Sequence, residues 1–357
     1  MSSTTTIAFY TDSPIFGGAE GSLGNLLSEL DPVFDVVVAG VEPTVIERVA
    51  AYRETARTRM IPAVRGKWDV TGIATTFRLV RSIRSQIFQA NLSVPSSGQY
   101  ALAAAVTVRN MRTIVLEHLA YPLDGMLQLR LKRFTSRRLA AHVAVGDRVA
   151  RDVEEFAGLG RGTILTIHNG VKDAELVPMP RPYEGPTLGT VGRLDRQKGY
   201  DILLHALTHV PDAVLILVGD GPERGPLEHL ASELGIADRV LFEGWRDDAR
   251  RYLTIFDVFV LPSRFEGFPL VIIEAMLARL PVVATHVGSV EEAVVNDQTG
   301  VLIQPDDPDA LAIALRRLVS DPERSRELGE RGRRRALQFT SATTARAFET
   351  LYEEVLS

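Results

Sequence analysis

The sequence predicts an α/β protein made of two parallel-sheet domains, and three observations carry that prediction. Short β-branched runs alternate with helical stretches, and strand-then-helix repeated calls for a parallel sheet covered on both faces. A segment holding Pro178, Pro180, Pro182 and Pro186 interrupts the alternation once, near the middle, and resists both helix and central strand. At 357 residues the chain is long enough for two separate cores.

The rhythm is clearest after the prolines. Strands are predicted at 188–191, 214–218, 240–242, 258–261, 282–284 and 300–303, with helices at 199–209, 223–234, 247–255, 268–279, 289–295 and 308–319 between them. Before the prolines, strands are predicted at 7–10, 36–39, 114–116, 143–145 and 164–167, and helices near 19–30, 44–55, 70–85, 97–107, 126–138 and 147–156. Residues 324–357 read as helical, with Thr340 as a good N-cap for the last helix and Phe348, Leu351, Tyr352 and Leu356 as its apolar stripe. The domains are therefore 1–172 and 186–338, with 339–357 a helix packing back toward the first.

Composition narrows the function classes. Hydrophobic residues at 45% and charged residues at 24% are ordinary for a soluble globular protein. The absence of cysteine excludes disulfides, thiolate metal sites and a catalytic thiol, and suits a cytoplasmic location. The start, MSSTTTIAFYTDS, lacks the basic and apolar regions of a signal peptide. The apolar run at 257–262 reads as a buried strand, not a membrane span. A formal net charge of −5 leaves no nucleic-acid footprint. Charge is unevenly spread: residues 1–180 hold 20 Lys+Arg against 17 Asp+Glu, a net of +3, and the remainder a net of −8.

Four strings place chemistry-bearing residues at the carboxyl ends of strands, where open α/β sheets bind ligands. Arg264-Phe-Glu266-Gly267-Phe268-Pro269-Leu270-Val-Ile-Ile-Glu274 follows strand 258–261. Pro269 fits the first turn of the next helix, so that the N–H groups of Gly267, Phe268 and Leu270 can point at an anion. Glu274 can accept hydrogen bonds from ribose hydroxyls. On their own, two such glutamates are also what a loop charge and a solvated helix residue look like. Gly192-Arg193-Leu-Asp-Arg-Gln-Lys198-Gly199 follows strand 188–191. Its arginine fork and lysine suit a diphosphate, and an ordinary basic turn has the same composition. Gly17-Gly18-Ala19-Glu20 opens the first helix, and paired glycines let backbone approach a phosphate; no Lys-Ser or Lys-Thr follows, so this is not a P-loop. His118, after strand 114–116, is placed either to meet a hydroxyl or to sit in the core. Separately, Leu127, Leu131 and Phe134 lie beside Arg130, Lys132, Arg133, Arg137 and Arg138 on one helix, which is either a peripheral contact with anionic membrane or a solvated helix covering the sheet.

Taken in order, these strings resemble the retaining GT-B glycosyltransferases of family 4, over nearly the whole chain and most strongly from Gly189 to about Leu315. Glu266 and Glu274, with seven residues between them, are similar to that family's paired glutamates; GRLDRQKGYD is similar to its phosphate-binding turn. Gly17-Gly18-Ala19-Glu20 matches its glycine loop, and Ile167-His-Asn169-Gly170-Val the end of its first domain.

The resemblance implies two facing Rossmann-like domains, the C-terminal helix crossing back to the first. It implies a nucleotide-diphosphate sugar as co-substrate (UDP-sugar favoured, GDP-mannose the alternative), with no cofactor and no metal. Arg193 and Lys198 would hold the diphosphate with the N–H groups of Gly17 and Gly18. Glu274 would bind ribose, Glu266 and the backbone of Gly267, Phe268 and Leu270 the sugar, backbone at Trp245 and Arg246 the base, and His118 the transferred sugar. The implied reaction is front-face substitution onto an acceptor hydroxyl in glycan, glycolipid or glycoconjugate synthesis. The acceptor, whether glycan, lipid-linked or small molecule, is not named by any residue, and the expected location is the cytoplasm or the inner face of its membrane. Asp147 stands where relatives commonly carry serine. A nucleotide-sugar epimerase of the same fold and a non-catalytic nucleotide-sugar binder are the competing readings.

Overall fold

The computed structural model describes residues 5–123, 125–181 and 183–357. Pro182, one of the boundary prolines, and the first four residues of the N-terminal string lie outside the described residues. Two units are formed: residues up to Lys172 together with Thr340–Ser357, and Asp173–Phe339.

In the first unit the strands are β1 (Thr5–Thr11), β2 (Phe34–Gly40), β3 (Arg57–Met60), β4 (Ile87–Leu92), β5 (Arg112–Glu117), β6 (Ala141–Ala144) and β7 (Leu165–Thr166). They pair in the order β3-β2-β1-β4-β5-β6-β7, all parallel. The helices are α1 (Gly18–Glu29), α2 (Pro43–Ala50), α3 (Val70–Ser82), α4 (Gln99–Ala105), α5 (Met126–Ser136) and α6 (Asp147–Ala157). One core joins Ala8, Tyr10, Phe88 and Val115 of the strands to Val80, Ala101 and Leu102 of the helices above them.

Strands β3 and β4 have no counterpart in the sequence prediction, for two different reasons. Strand β3, Arg-Thr-Arg-Met, is an exposed edge strand, so burial leaves no apolar imprint on it. Strand β4 is central and fully buried, yet it carries Gln89 and Asn91, which break the apolar run. Both polar side chains are satisfied inside the core. Gln89 Oε1 accepts from Tyr352 Oη at 2.6 Å, and Asn91 Nδ2 donates to Tyr10 O at 3.4 Å.

In the second unit β8 (Thr187–Val191), β9 (Val214–Val218), β10 (Val240–Gly244), β11 (Val258–Leu261), β12 (Val282–Thr285) and β13 (Val301–Ile303) form a parallel sheet in the order β10-β9-β8-β11-β12-β13. Helices α7 (Tyr200–Leu207), α8 (Arg224–Glu233), α9 (Leu270–Leu277), α10 (Val290–Ala293), α11 (Pro308–Ser320) and α12 (Pro322–Ala336) connect and cover it. The predicted helix at 247–255 is a short 3₁₀ stretch, Ala249–Thr254. Strand order reverses between β8 and β11, and at such a switch point the loops leaving the two strands diverge and open a crevice.

The last helix, α13 (Ser341–Leu356), belongs to the first unit and packs on α1. Thr340 caps it, its Oγ1 accepting from the Thr343 N–H at 3.3 Å. Phe348, Leu351 and Tyr352 are buried there; Leu356, expected in the same stripe, is exposed, because it ends the helix where no neighbour covers it.

Candidate donor site

The two strongest strings meet at the β8/β11 switch point, in the turns that follow these strands. Lys198 Nζ lies 2.6 Å from Glu266 Oε1, and the same oxygen accepts from Ser263 Oγ at 2.7 Å. The turns are further stitched by Arg264 N–H donating to Gln197 O at 2.8 Å and Gln197 Nε2 donating to Phe265 O at 2.9 Å. Arg264 grips Asp201 with both terminal nitrogens, at 2.9 and 2.7 Å, and Asp306 with Nε at 2.8 Å. A bidentate pair of this kind fixes orientation as well as charge. Arg264 and Ser263 were given no role by the sequence. Their position beside Glu266 was visible, but not their partners 63 and 3 residues away.

Close approach is built into the backbone. Gly199 has φ +64°, and a Cβ there would lie 2.2 Å from Pro262 O. Gly288 has φ +52°, and its Cβ would lie 1.9 Å from Glu266 O. These glycines let the Lys198 and Glu266 turns touch each other and the turn after β12.

Electrostatics keep the lysine charged. Burial alone would lower the Lys198 ammonium, but Glu266, with Tyr200 and Asp195 beyond it, holds it above the ordinary lysine range. Arg193 is exposed and only loosely paired, with Asp195 at 3.7 Å. Glu274, on α9, is mostly buried 3.6 Å from Arg250. Burial pushes its carboxyl above the usual glutamate range, opposed in part by the Arg250 charge. Arg250 carried no signal in the sequence.

Helix α9 starts two residues later than predicted. Pro269 has ψ 119° and serves as the N-cap, so Leu270 is the first helical residue. Phe268 is buried against Phe339, ring centroids 5.1 Å apart, leaving only its backbone for a ligand, as does Gly267. Trp245 and Arg246, after β10, are exposed. Trp245 Nε1 reaches Asp247 Oδ1 at 3.3 Å and Arg246 Nη2 reaches Glu243 Oε2 at 2.8 Å.

In the first unit Gly17 and Gly18 are exposed at the start of α1. Glu20 turns back to accept from the Gly17 N–H at 3.0 Å and from Thr11 Oγ1 at 2.9 Å. One of the two amides expected to meet phosphate is thus already occupied by the helix's own cap. A Cβ on Gly18 would meet nothing within 4 Å. His118, at the end of β5, is buried, and its Nε2 has no hydrogen-bond partner among the described residues. Burial lowers its pKa to about 4 against the opposing charge of Glu117, so the ring is neutral at pH 7. Among the described residues no three His, Asp or Glu side chains cluster as metal ligands do.

The helix read as a membrane face is arranged differently from expectation. Lys132 points inward and is ion-paired with buried Glu117, which also takes a hydrogen bond from His142 at 2.9 Å. Burial alone would raise the Glu117 carboxyl, but Lys132 and His142 together bring it down to about 2.

Two parallel-sheet Rossmann-like units with this set of turns are the fold of the GT-B glycosyltransferases. The structure matches that of HepE from Anabaena, solved in complex with UDP, with a TM-score of 0.84 over 98% of this chain and 100% of that one at 21% identity. Residues 172–335 match the family model for glycosyl transferases group 1, and residues 16–175 that for glycosyltransferase family 4. The chain belongs to this family. Among curated relatives, it is 32% identical over 185 residues to LpsE, a lipopolysaccharide core biosynthesis glycosyltransferase of Rhizobium meliloti, over 52% of each chain. It is 39% identical over 146 residues to the N-acetyl-alpha-D-glucosaminyl L-malate synthase of Bacillus anthracis, over 41% of this chain and 38% of that one. The matched stretch thus spans about half the length of these relatives or less.

Proposed function

We propose that this protein is a retaining, metal-independent glycosyltransferase that moves a sugar from a nucleotide-diphosphate donor to an acceptor hydroxyl, in the cytoplasm. One observation carries the reading: the Lys198–Glu266 pair at the β8/β11 switch point, 2.6 Å apart, with exposed Arg193 in the same turn as the lysine.

In this reading Lys198 and Arg193 stabilise the diphosphate as it leaves, which preorganised cations can do without a metal. The Gly18 backbone offers an N–H to phosphate. Glu266, its geometry set by Lys198 and Ser263, and the backbone of Gly267, Phe268 and Leu270 hold sugar hydroxyls. Glu274 accepts from the ribose and the backbone at Trp245 and Arg246 contacts the base. His118, neutral and with an unmet Nε2, takes a hydroxyl of the transferred sugar. The acceptor attacks from the face the diphosphate leaves, and a departing phosphate oxygen takes its proton. The C1–O bond to the diphosphate breaks, the C1–O bond to the acceptor forms, and configuration is kept. The UDP held by the HepE structure favours a uridine donor, with GDP-mannose the alternative.

The test is a panel of nucleotide sugars incubated with the protein in EDTA, following nucleotide diphosphate release. Release from one donor in the presence of an acceptor hydroxyl, with the product anomer matching the donor, is expected. Conversion of donor without any acceptor would instead make the protein an epimerase. Binding of nucleotide with no turnover against a broad acceptor set would make it a non-catalytic binder.

A further inference from the structure

Helix α5 is partly inverted relative to an ordinary surface helix. Its one lysine is 2% exposed and ion-paired in the core, while Met126, Leu127 and Phe134 are 74%, 62% and 42% exposed. At 3.6 residues per turn, Met126, Leu127, Arg130, Phe134, Arg137 and Arg138 fall within about 120° of arc. The opposite arc holds buried Lys132 and Thr135. Residues 126–138 contain no acidic side chain, and Arg130, Arg137 and Arg138 are all exposed. The Arg138 guanidinium lies 3.9 Å over the Phe134 ring. A sheet-covering helix would turn its apolar residues inward. This one leaves Leu129 and Leu131 half-buried and turns Met126, Leu127 and Phe134 to solvent, interleaved with arginines.

A second spot of the same character lies on the same helical layer. Trp68 and Val70, at the start of α3, are 85% and 72% exposed, with Lys67 Nζ 5.3 Å from the Trp68 ring. Helix α3 packs on α4, and α4 on α5. Each of the three follows a parallel strand of one sheet, so their N-termini, with Trp68 just before α3 and Met126 and Leu127 on α5, emerge at one edge, the edge that also carries His118.

We infer that the α5 face, extended by Trp68, docks on an anionic lipid bilayer. Apolar side chains of this size enter the headgroup boundary, and arginines interleaved with them reach lipid phosphates by extending their guanidinium ends outward. The lack of any acid on the helix and the net positive balance of residues 1–180 favour this occupant over a second copy of the chain, whose matching face would present the same arginines to each other. This inference does not depend on catalysis.

Flotation of the full chain with phosphatidylcholine vesicles, with and without phosphatidylglycerol, tests it. The protein is expected to rise with the anionic vesicles and stay down with the neutral ones. R130E/R137E should cut the bound fraction about tenfold or more at low salt. M126S/L127S/F134S should cut it at every salt concentration, and Phe134→Ser alone serves if the triple variant does not fold. Trp68 emission should be quenched by brominated lipid tails, and not in W68F. No flotation, equal flotation with both vesicles, or variants that bind like the parent would overturn the inference. So would a concentration-dependent dimer that the same substitutions dissolve.

Discussion

Lys198 Nζ and Glu266 Oε1 are 2.6 Å apart although 68 residues separate them in the chain. Each sits in the turn leaving one of the two strands that flank the switch point, so the pair ties those two turns together. As a mostly buried pair it acts as a unit, and removing one member leaves the other uncompensated. Lys198→Met should lower donor turnover about a hundredfold or more, as loss of one charge-stabilising group does. Glu266→Gln added to Lys198→Met should cost little further, because units of this kind are non-additive. Steady-state kinetics of both single variants and the double one read this; full additivity would separate their roles.

Glu274 has a raised pKa, which sets the sign of a pH effect. Its neutral form persists to higher pH than in an ordinary glutamate, and a neutral carboxyl is a poorer acceptor for ribose hydroxyls. Donor affinity should therefore decline on acidification from above 4.5, the ordinary glutamate value. Arg250→Ala, by removing the opposing charge, should move the decline to higher pH. Calorimetric titration of UDP across pH measures it, with Glu274→Gln isolating this component from the nucleotide's own protonation. An identical pH profile in Glu274→Gln would remove Glu274 from the ribose.

Lys132→Met leaves the Glu117 carboxylate buried without its cation, and should destabilise the fold by about 3–5 kcal/mol. Adding Glu117→Gln should recover much of that. The folded-state pKa of Glu117 is depressed to about 2 from 4.5. Its stabilisation is therefore complete above about pH 4.5 and is lost as pH falls through 2. Urea unfolding of the two variants decides the matter; a small effect in Lys132→Met would mean the pair is dispensable.

His118 titrates at about 4 in the fold against 6.5 unfolded. Between these values the unfolded chain binds the proton and the folded chain does not, so stability falls as pH drops from 6.5 toward 4. His118→Gln should flatten that part of the stability profile, and by changing the group presented at the unmet Nε2 position it should also reduce sugar transfer. Chemical denaturation at stepped pH, alongside turnover at pH 7, separates the two effects.

Two glycines should behave oppositely. Gly199→Ala places a Cβ 2.2 Å from Pro262 O at φ +64° and should cost at least about 1–3 kcal/mol of stability. Gly18→Ala meets nothing within 4 Å, so stability should stay within about 0.5 kcal/mol while donor affinity falls. Thermal melts and nucleotide titration check both; unchanged affinity in Gly18→Ala would remove the glycine loop from the phosphates.

Most of the candidate site was legible before the structure, because its residues stand in short contiguous strings after strands. The strand and helix alternation was legible for the same reason: burial on both faces of a parallel sheet leaves long apolar runs, as in β9 and β11, whose bounds match the prediction. What the local pattern could not carry were partners far along the chain. Arg264 was readable as a residue but not as the clamp on Asp201, and Arg250 gave no hint that it faces Glu274.

The sequence by itself determined the parallel α/β plan, the break between the two domains' strand series and which groups are candidates to meet a nucleotide sugar. Tertiary structure alone decided which polar residues are inside. Gln89 and Asn91 sit in a central strand because Tyr352 and Tyr10 complete their hydrogen bonds. Lys132 sits under α5 because Glu117 is there to receive it, and that choice turns Met126, Leu127 and Phe134 outward. Local apolar patterning reports burial only when hydrophobicity drives it. Where a buried polar group is held by a distant partner, the energy that places it belongs to the pair, and only the folded chain brings the pair together.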